Sequence, residues 1–276
     1  MNTDRYENFL DTAFVDVKGA KIRFAKIGQG EPVLFLHGFP ETLQTWRLIL
    51  PDIAKKFQAI ALDLKGFGYS DKPQGDYSPQ GMADFVKDYM EVSKIDKAHV
   101  VATDTGLTIA CAFALKYPDR INKLVLMSGT AYDKGLIAPE VRLLAIKPLG
   151  EFGLWLLGPL AIGMGLKKGF YKKGLLSPKV FNEYYEPFKD PVARKRTVEL
   201  LHSFFEVLPD LGEKIKDINV STLILWAEYE RFFSLKVAKR LQKDIKNSRL
   251  EIIPSCGHFI QEEKPEIVTK LILSFL

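Results

Sequence analysis

The sequence predicts an α/β fold: a mostly parallel, eight-stranded sheet with helices on both faces and a helical cap inserted between two of its strands. Three observations predict it. From residue 32 to 127, near-continuous apolar runs alternate with helix-period segments, as expected of strands buried on both faces and joined by crossover helices. From about 132 to 211 the alternation stops, leaving only helix-length segments punctuated by Gly and Pro. It resumes at 220 and runs to the end of the chain.

Taken in order, residues 13–17 and 21–27 are short alternating runs joined at Gly19, which reads as a hairpin. Residues 32–36 (Pro-Val-Leu-Phe-Leu) form a fully apolar third strand, followed by a helix pattern over 43–55. A fourth strand over 57–62 leads into the Gly-rich loop 63–70, and Ser78 caps a helix reaching about residue 92. Next come a buried strand at 98–103, a helix at 106–117 closed by Pro118, and a strand at 121–127. After the helical segment there are a strand at 220–226, a helix to 246, a strand at 249–253 and a last helix from 262. The domain division is therefore a core of 1–131 and 213–276, with a cap of 132–212.

Composition narrows the function classes. With 276 residues, 47% hydrophobic and 26% charged, the chain has an ordinary globular core, which excludes disorder and a multi-span membrane protein. The net charge of +5 is mild, and no basic run carries the aromatic interleaving of a nucleic-acid groove. The cap holds twelve Lys/Arg against nine Asp/Glu, so +3 of the excess lies there, on its solvated outer face. Cys111 and Cys256 are far apart and suit a reducing, cytoplasmic setting. Residues 1–10 show no signal-peptide core. The apolar stretch around Leu154 is shorter than a span of roughly 20 residues and is interrupted by Gly153, Gly158 and Pro159, so it reads as packed cap helix rather than a membrane segment.

The chemically informative stretch is Val100-Val101-Ala102-Thr103-Asp104-Thr105-Gly106, where a buried strand runs directly into a helix with one reactive residue at the junction. So tight a turn strains the junction residue and demands small neighbours two positions away, here Ala102 and Gly106. Asp104 therefore occupies the position of a nucleophile, with the positive end of a helix aimed at its carboxylate. Such a carboxylate is expected to be ionised at neutral pH. The alternative is an Asp that merely caps the helix.

The order and spacing of four segments make the chain resemble the α/β-hydrolases over nearly its full length. They are His37-Gly38-Phe39-Pro40 after the third strand, the 63–70 loop, the elbow at Asp104, and Gly257-His258-Phe259 after the last strand. The resemblance is to the Asp-nucleophile branch, the epoxide hydrolases and haloalkane dehalogenases. A carboxylate attacking an ester yields an easily reversed anhydride. Attack on an sp³ carbon yields a stable alkyl ester, which water then cleaves at the Asp carboxyl carbon. The resemblance implies that His258 is the base activating that water, with an unperturbed pKa near 6.5. It also implies that Glu230 is the acid orienting it, with Glu228 as the alternative, Ser128 filling another subgroup's acid slot and Asp133 a distant outsider. The N–H groups of Phe39 and Thr105 form the oxyanion hole. His37 shapes its own turn, in which a cis Phe39–Pro40 bond is expected.

The leaving group divides the expectations. Haloalkane dehalogenases place Trp after the nucleophile and Asn or a second Trp elsewhere, whereas this chain has Thr105 and Phe39. Fluoroacetate dehalogenases carry arginines after the nucleophile, absent here. Epoxide hydrolases use cap tyrosines as acids, and Tyr132, Tyr171, Tyr184 and Tyr185 are available. The expected pocket, with Trp155 and Phe259 among its lining candidates, is apolar and takes a lipophilic small molecule. The readings kept open are an epoxide hydrolase, a haloalkane dehalogenase, a non-catalytic ligand sensor on the same fold and, more remotely, an esterase. Neither cofactor nor metal is implied, nor a nucleic-acid or membrane partner, and the protein is expected to be a monomer or homodimer.

Overall fold

The computed structural model describes residues 8–132 and 136–276, with Lys173 by its backbone only. Eight strands form one sheet in the order β1-β2-β4-β3-β5-β6-β7-β8: β1 (Ala13–Val17), β2 (Ala20–Ile27), β3 (Pro32–Leu36), β4 (Gln58–Leu62), β5 (Ala98–Asp104), β6 (Ile121–Gly129), β7 (Thr222–Ala227) and β8 (Ser248–Ile253). The β1–β2 and β2–β4 pairs are antiparallel and the remaining pairs parallel. The predicted fold class is thus the observed one.

The period-2 alternation of the strands divides the core between the two faces of the sheet. Leu34, Leu36, Val100, Ala102, Leu124 and Leu126 face one layer, packed under α2 (Pro79–Val92) and α3 (Thr105–Lys116). Val33, Phe35, Val101, Val125, Met127 and Leu225 face the other, against Trp46, Ile49 and the C-terminal helix. The helix after β3 differs from expectation. The helix predicted over 43–55 is a 3₁₀ turn at Leu43–Trp46 followed by a single α turn, α1 (Leu50–Ile53). Pro51 has no N–H to continue a ladder from the preceding turn, so it starts a new one. For the same reason the last helix is split by Pro265 into α9 (Ile260–Glu263) and α10 (Pro265–Phe275); α8 (Leu235–Asp244) separates β7 from β8.

Between β6 and β7 lie four α-helices among the described residues: α4 (Pro139–Leu144), α5 (Leu149–Gly169), α6 (Pro178–Tyr185) and α7 (Pro191–Lys214). Leu200, Leu201, Phe204, Leu208 and Leu211 of α7 join the core cluster beneath α3, so the expected boundary at 212 falls inside this helix. The expectation of an interrupted apolar segment needs correction. α5 is continuous for 21 residues and, by length and composition, long and apolar enough to cross a membrane. Its glycines do not break it, and one of them serves packing: a Cβ at Gly163 would lie 3.3 Å from the Phe181 ring of α6. Pro159 sits on the exposed side of α5.

α6 is fastened to the sheet domain by buried charge. Arg23 pairs with Glu183 at 2.9 Å and with Asp63 at 3.3 Å, and the Thr42 hydroxyl donates to the same Glu183. Beside it, Arg47 makes a bidentate pair with Glu262 at 2.7 Å, and Tyr184 donates its hydroxyl to Glu262.

Candidate active site

β3, β5, β6, β7 and β8 run parallel, so the loops at their C-terminal ends gather along one edge of the sheet, where ligand sites of open α/β sheets lie. Asp104 stands at the β5–α3 junction with φ +52° and ψ −120°, a left-handed conformation unusual for a residue with a side chain. The turn is possible because its neighbours lack bulk. A Cβ on Gly106 would come within 2.5 Å of the Leu36 carbonyl oxygen, and one on Gly38 within 2.2 Å of Asp104 Cβ. The glycines of both motifs let two strand-end loops touch.

That contact builds a polarised carboxylate. Asp104 Oδ1 accepts hydrogen bonds from the Phe39 N–H at 2.8 Å and the Thr105 N–H at 2.6 Å. Oδ2 is left facing His258 Nε2 at 3.6 Å. On the other side of the imidazole, Nδ1 donates to Glu230 Oε2 at 2.9 Å. Glu230 Oε1 accepts from the Arg231 and Phe232 N–H groups at 2.8 Å, which fixes the carboxylate in its loop. Glu228 is exposed and instead accepts from the Ser255 N–H at 2.8 Å. Of the two expected acids, the structure brings Glu230 and not Glu228 to His258. Asp133 lies outside the described residues. Ser128, at the end of β6, is buried. The Phe39–Pro40 bond is cis. His37 links Gly38 to the next loop, with Nδ1 bonded to the Gly38 carbonyl and Nε2 accepting from the Leu64 N–H, so the ring is neutral.

The electrostatics follow from burial and proximity. Burial raises Asp104 above the usual carboxylate range, against the opposing pull of His258 and the two N–H donors. Burial alone would lower His258, but Glu230, Asp104 and Glu41 overcome it and push the imidazole up to about 9. Glu230 is held below its ordinary value: burial opposes ionisation, yet His258 and the Phe232 N–H outweigh it. The ordinary imidazole expected at His258 is thus corrected. In the resting site it carries a proton, because it sits between two carboxylates.

The cavity above Asp104 has a volume of about 660 Å³. Asp104, Thr105, Phe39, His258 and Phe259 line it, with apolar side chains from α4, α5 and α7. None of the expected cap tyrosines does. Tyr184 is buried in the Arg47–Glu262 pair, Tyr185 stacks on Phe181, Tyr171 stacks on Tyr229, and Tyr132 donates to Asp244 at 3.0 Å. Trp155 also points away from the cavity and is 62% exposed. Each of these rings is engaged or turned outward, so their assignment to the pocket is overturned.

Several residues at the site escape sequence reasoning. Phe232 and Phe233 flank His258, with ring centroids at 5.0 and 5.7 Å; their position right after Glu230 is the signal that could have found them. Buried Glu41 accepts from the Thr45 hydroxyl at 2.5 Å, Gln261 at 2.7 Å and the Gly38 N–H at 3.2 Å; burial pushes it up to about 7. On the cavity wall, Lys168 of α5 pairs with Glu140 and lies 5.4 Å from the Phe232 ring centroid. No local motif marks Glu41 or Lys168.

Residues 31–265 match the alpha/beta hydrolase fold family model. Epoxide hydrolase 3 of Xenopus tropicalis is 27% identical, over 95% of this chain and 77% of its own length. The 2-hydroxy-6-oxononadienedioate/2-hydroxy-6-oxononatrienedioate hydrolase 1 of Pseudomonas putida is 30% identical, over 92% and 91% respectively. Among solved structures, the epoxide hydrolase CorEH without ligand superposes with a TM-score of 0.87 at 22% identity, covering 96% of this chain and 98% of that one, a likeness of fold. A sheet, an elbow and a family match that agree over most of the chain have one conclusion: this protein is a member of the alpha/beta hydrolase fold family, a hydrolase.

Proposed function

We propose that the protein is an epoxide hydrolase acting on a lipophilic small molecule through an alkyl-enzyme ester on Asp104, with residues 132–212 as its cap. One observation carries the reading: a carboxylate at the elbow with Oδ1 held by two N–H donors and Oδ2 directed to a His258–Glu230 pair. A carboxylate so placed attacks carbon through Oδ2, breaking the C–O bond of the epoxide. The alkoxide that forms needs a proton. With no tyrosine on the wall, the donor in this reading is Lys168, the one lysine or arginine lining the cavity among the described residues.

Alkylation removes the charge of Asp104 and with it part of what holds the proton on His258. The imidazole gives that proton up, restoring the one Lys168 supplied, and becomes a base. Water then loses a proton to Nε2 and attacks Cγ of Asp104. Negative charge develops on Oδ1, where the Phe39 and Thr105 N–H groups already point. Collapse expels the diol, which takes its proton from His258, and leaves Asp104 with one oxygen from water.

The names of the relatives support the epoxide over the halide. So does the cavity wall, where no Trp or Asn among the described residues offers a leaving halide an N–H. The test replaces His258 by Gln, so that the ester accumulates, and offers alkyl epoxides, bromoalkanes and activated esters in turn. The reading expects an adduct on Asp104, seen by intact mass, with epoxides. It also expects Lys168→Met to slow adduct formation from epoxides by about 10²-fold or more. Labelling by bromoalkanes alone makes the protein a dehalogenase. No labelling and no turnover by the wild type makes it a non-catalytic binder.

A further inference from the structure

α5 buries one face and exposes another, and the exposed face is apolar from Leu149 to Met164. Gly150, Leu154, Gly158, Ile162 and Leu166 are buried at i, i+4 spacing. Opposite them, Leu149, Phe152, Leu156 and Leu160 form a stripe whose members are each 48–60% exposed, flanked by Trp155 and Met164 at 62% and 63%. Leu143 and Ile146 extend the ridge beyond the helix. A contiguous apolar surface of this kind marks an interaction site.

Charge indicates what covers it. Residues 141–172 hold five Lys/Arg and one acidic residue, Glu151. Exposed Lys147 stands at one end of the ridge and exposed Lys167 and Lys172 at the other; none of the three makes an ion pair among the described residues. A second copy of the chain would bring these lysines toward each other, whereas an anionic headgroup layer neutralises them. The helix is not free to span: Gly169 at its C-terminus accepts the His258 N–H at 2.8 Å, and its buried stripe is packed into the cluster of Tyr184 and Phe259. It can only lie flat.

We propose that this face of α5 docks the protein on an anionic lipid surface, apolar ridge inserted and lysines at the headgroups. This replaces the expectation of no membrane partner with surface contact. Leu157, Leu160 and Met164 belong both to the exposed face and to the cavity wall, so the docked orientation sets this part of the wall against the acyl layer, where a lipophilic substrate concentrates. The docking stands whatever reaction Asp104 performs.

The experiment is vesicle flotation with phosphatidylcholine alone and with added phosphatidylglycerol. The wild type should bind the anionic vesicles about tenfold or more over the neutral ones. The combined variant Phe152→Glu, Trp155→Glu, Leu156→Glu should lose binding to both. Lys147→Gln, Lys167→Gln, Lys172→Gln should lose the anionic preference, as should raised salt. None of these six residues lines the cavity, so unchanged turnover of a water-soluble substrate, or an unchanged melting temperature, verifies the fold. Absence of wild-type flotation, or equal flotation by the glutamate variant, overturns the proposal. So does a dimer in sedimentation that the glutamate variant splits while vesicles bind neither protein. Because flotation reads binding without turnover, its failure is separate from failure of the epoxide reading.

Discussion

At the scale of single residues, two carboxylates on either side of His258 set the character of the site. Glu230 orients the ring through Nδ1 and Asp104 awaits substrate at Nε2. Glu230→Gln keeps the shape but removes the charge and permits the wrong tautomer; kcat should fall about 10²- to 10⁴-fold. Glu228→Gln, an exposed contact to Ser255, should leave kcat unchanged, and steady-state kinetics on the two variants checks the pair. The proton on His258 gives a second expectation. Its raised value of about 9 depends partly on an ionised Asp104, so ester hydrolysis should increase with pH through an apparent pKa below about 9, as His258 loses its proton. Single-turnover rates of ester breakdown across pH 5 to about 10 would read it. Asp104, His258 and Glu230 were each legible in the sequence because a strand-end motif surrounds them. Glu41 and Lys168 were not. Their positions depend on which loops meet in space, and no short pattern records that.

At the scale of elements, the elbow depends on β3 and α3 approaching closely. Gly106→Ala places a methyl against the Leu36 and His37 carbonyl oxygens and should destabilise the protein by about 1–3 kcal/mol, measurable by chemical denaturation. The strands and α3 were legible because apolar runs bounded by turn residues have one reading in a parallel sheet. α5 was not, since Gly and Pro suggest interruption. In the structure Gly163 instead admits Phe181 of α6, and Pro159 faces outward, which a linear sequence does not reveal. The tyrosines were misassigned for a related reason. Tyr184 meets Arg47 and Glu262, residues distant in sequence that turn a plausible acid into a fastening for α6.

For the whole molecule, the buried charges make stability depend on pH. His258 is raised in the folded state from about 6.5 to about 9, so its contribution is complete below about 6.5 and is lost as pH rises through about 9. Glu41, raised to about 7, acts in the same direction, its contribution lost as pH rises through that value. The melting temperature should therefore fall by a few °C from about pH 6 to about pH 9, and His258→Gln should flatten that slope, as read by scanning calorimetry. The cycle as a whole rests on Asp104 as the attacking group, and one measurement reaches it directly. A single turnover in H₂¹⁸O, followed by peptide mass analysis, should find ¹⁸O in the Asp104 carboxylate and unlabelled oxygen in the product. Heavy oxygen in the product of that first turnover, with Asp104 unlabelled, would contradict the account.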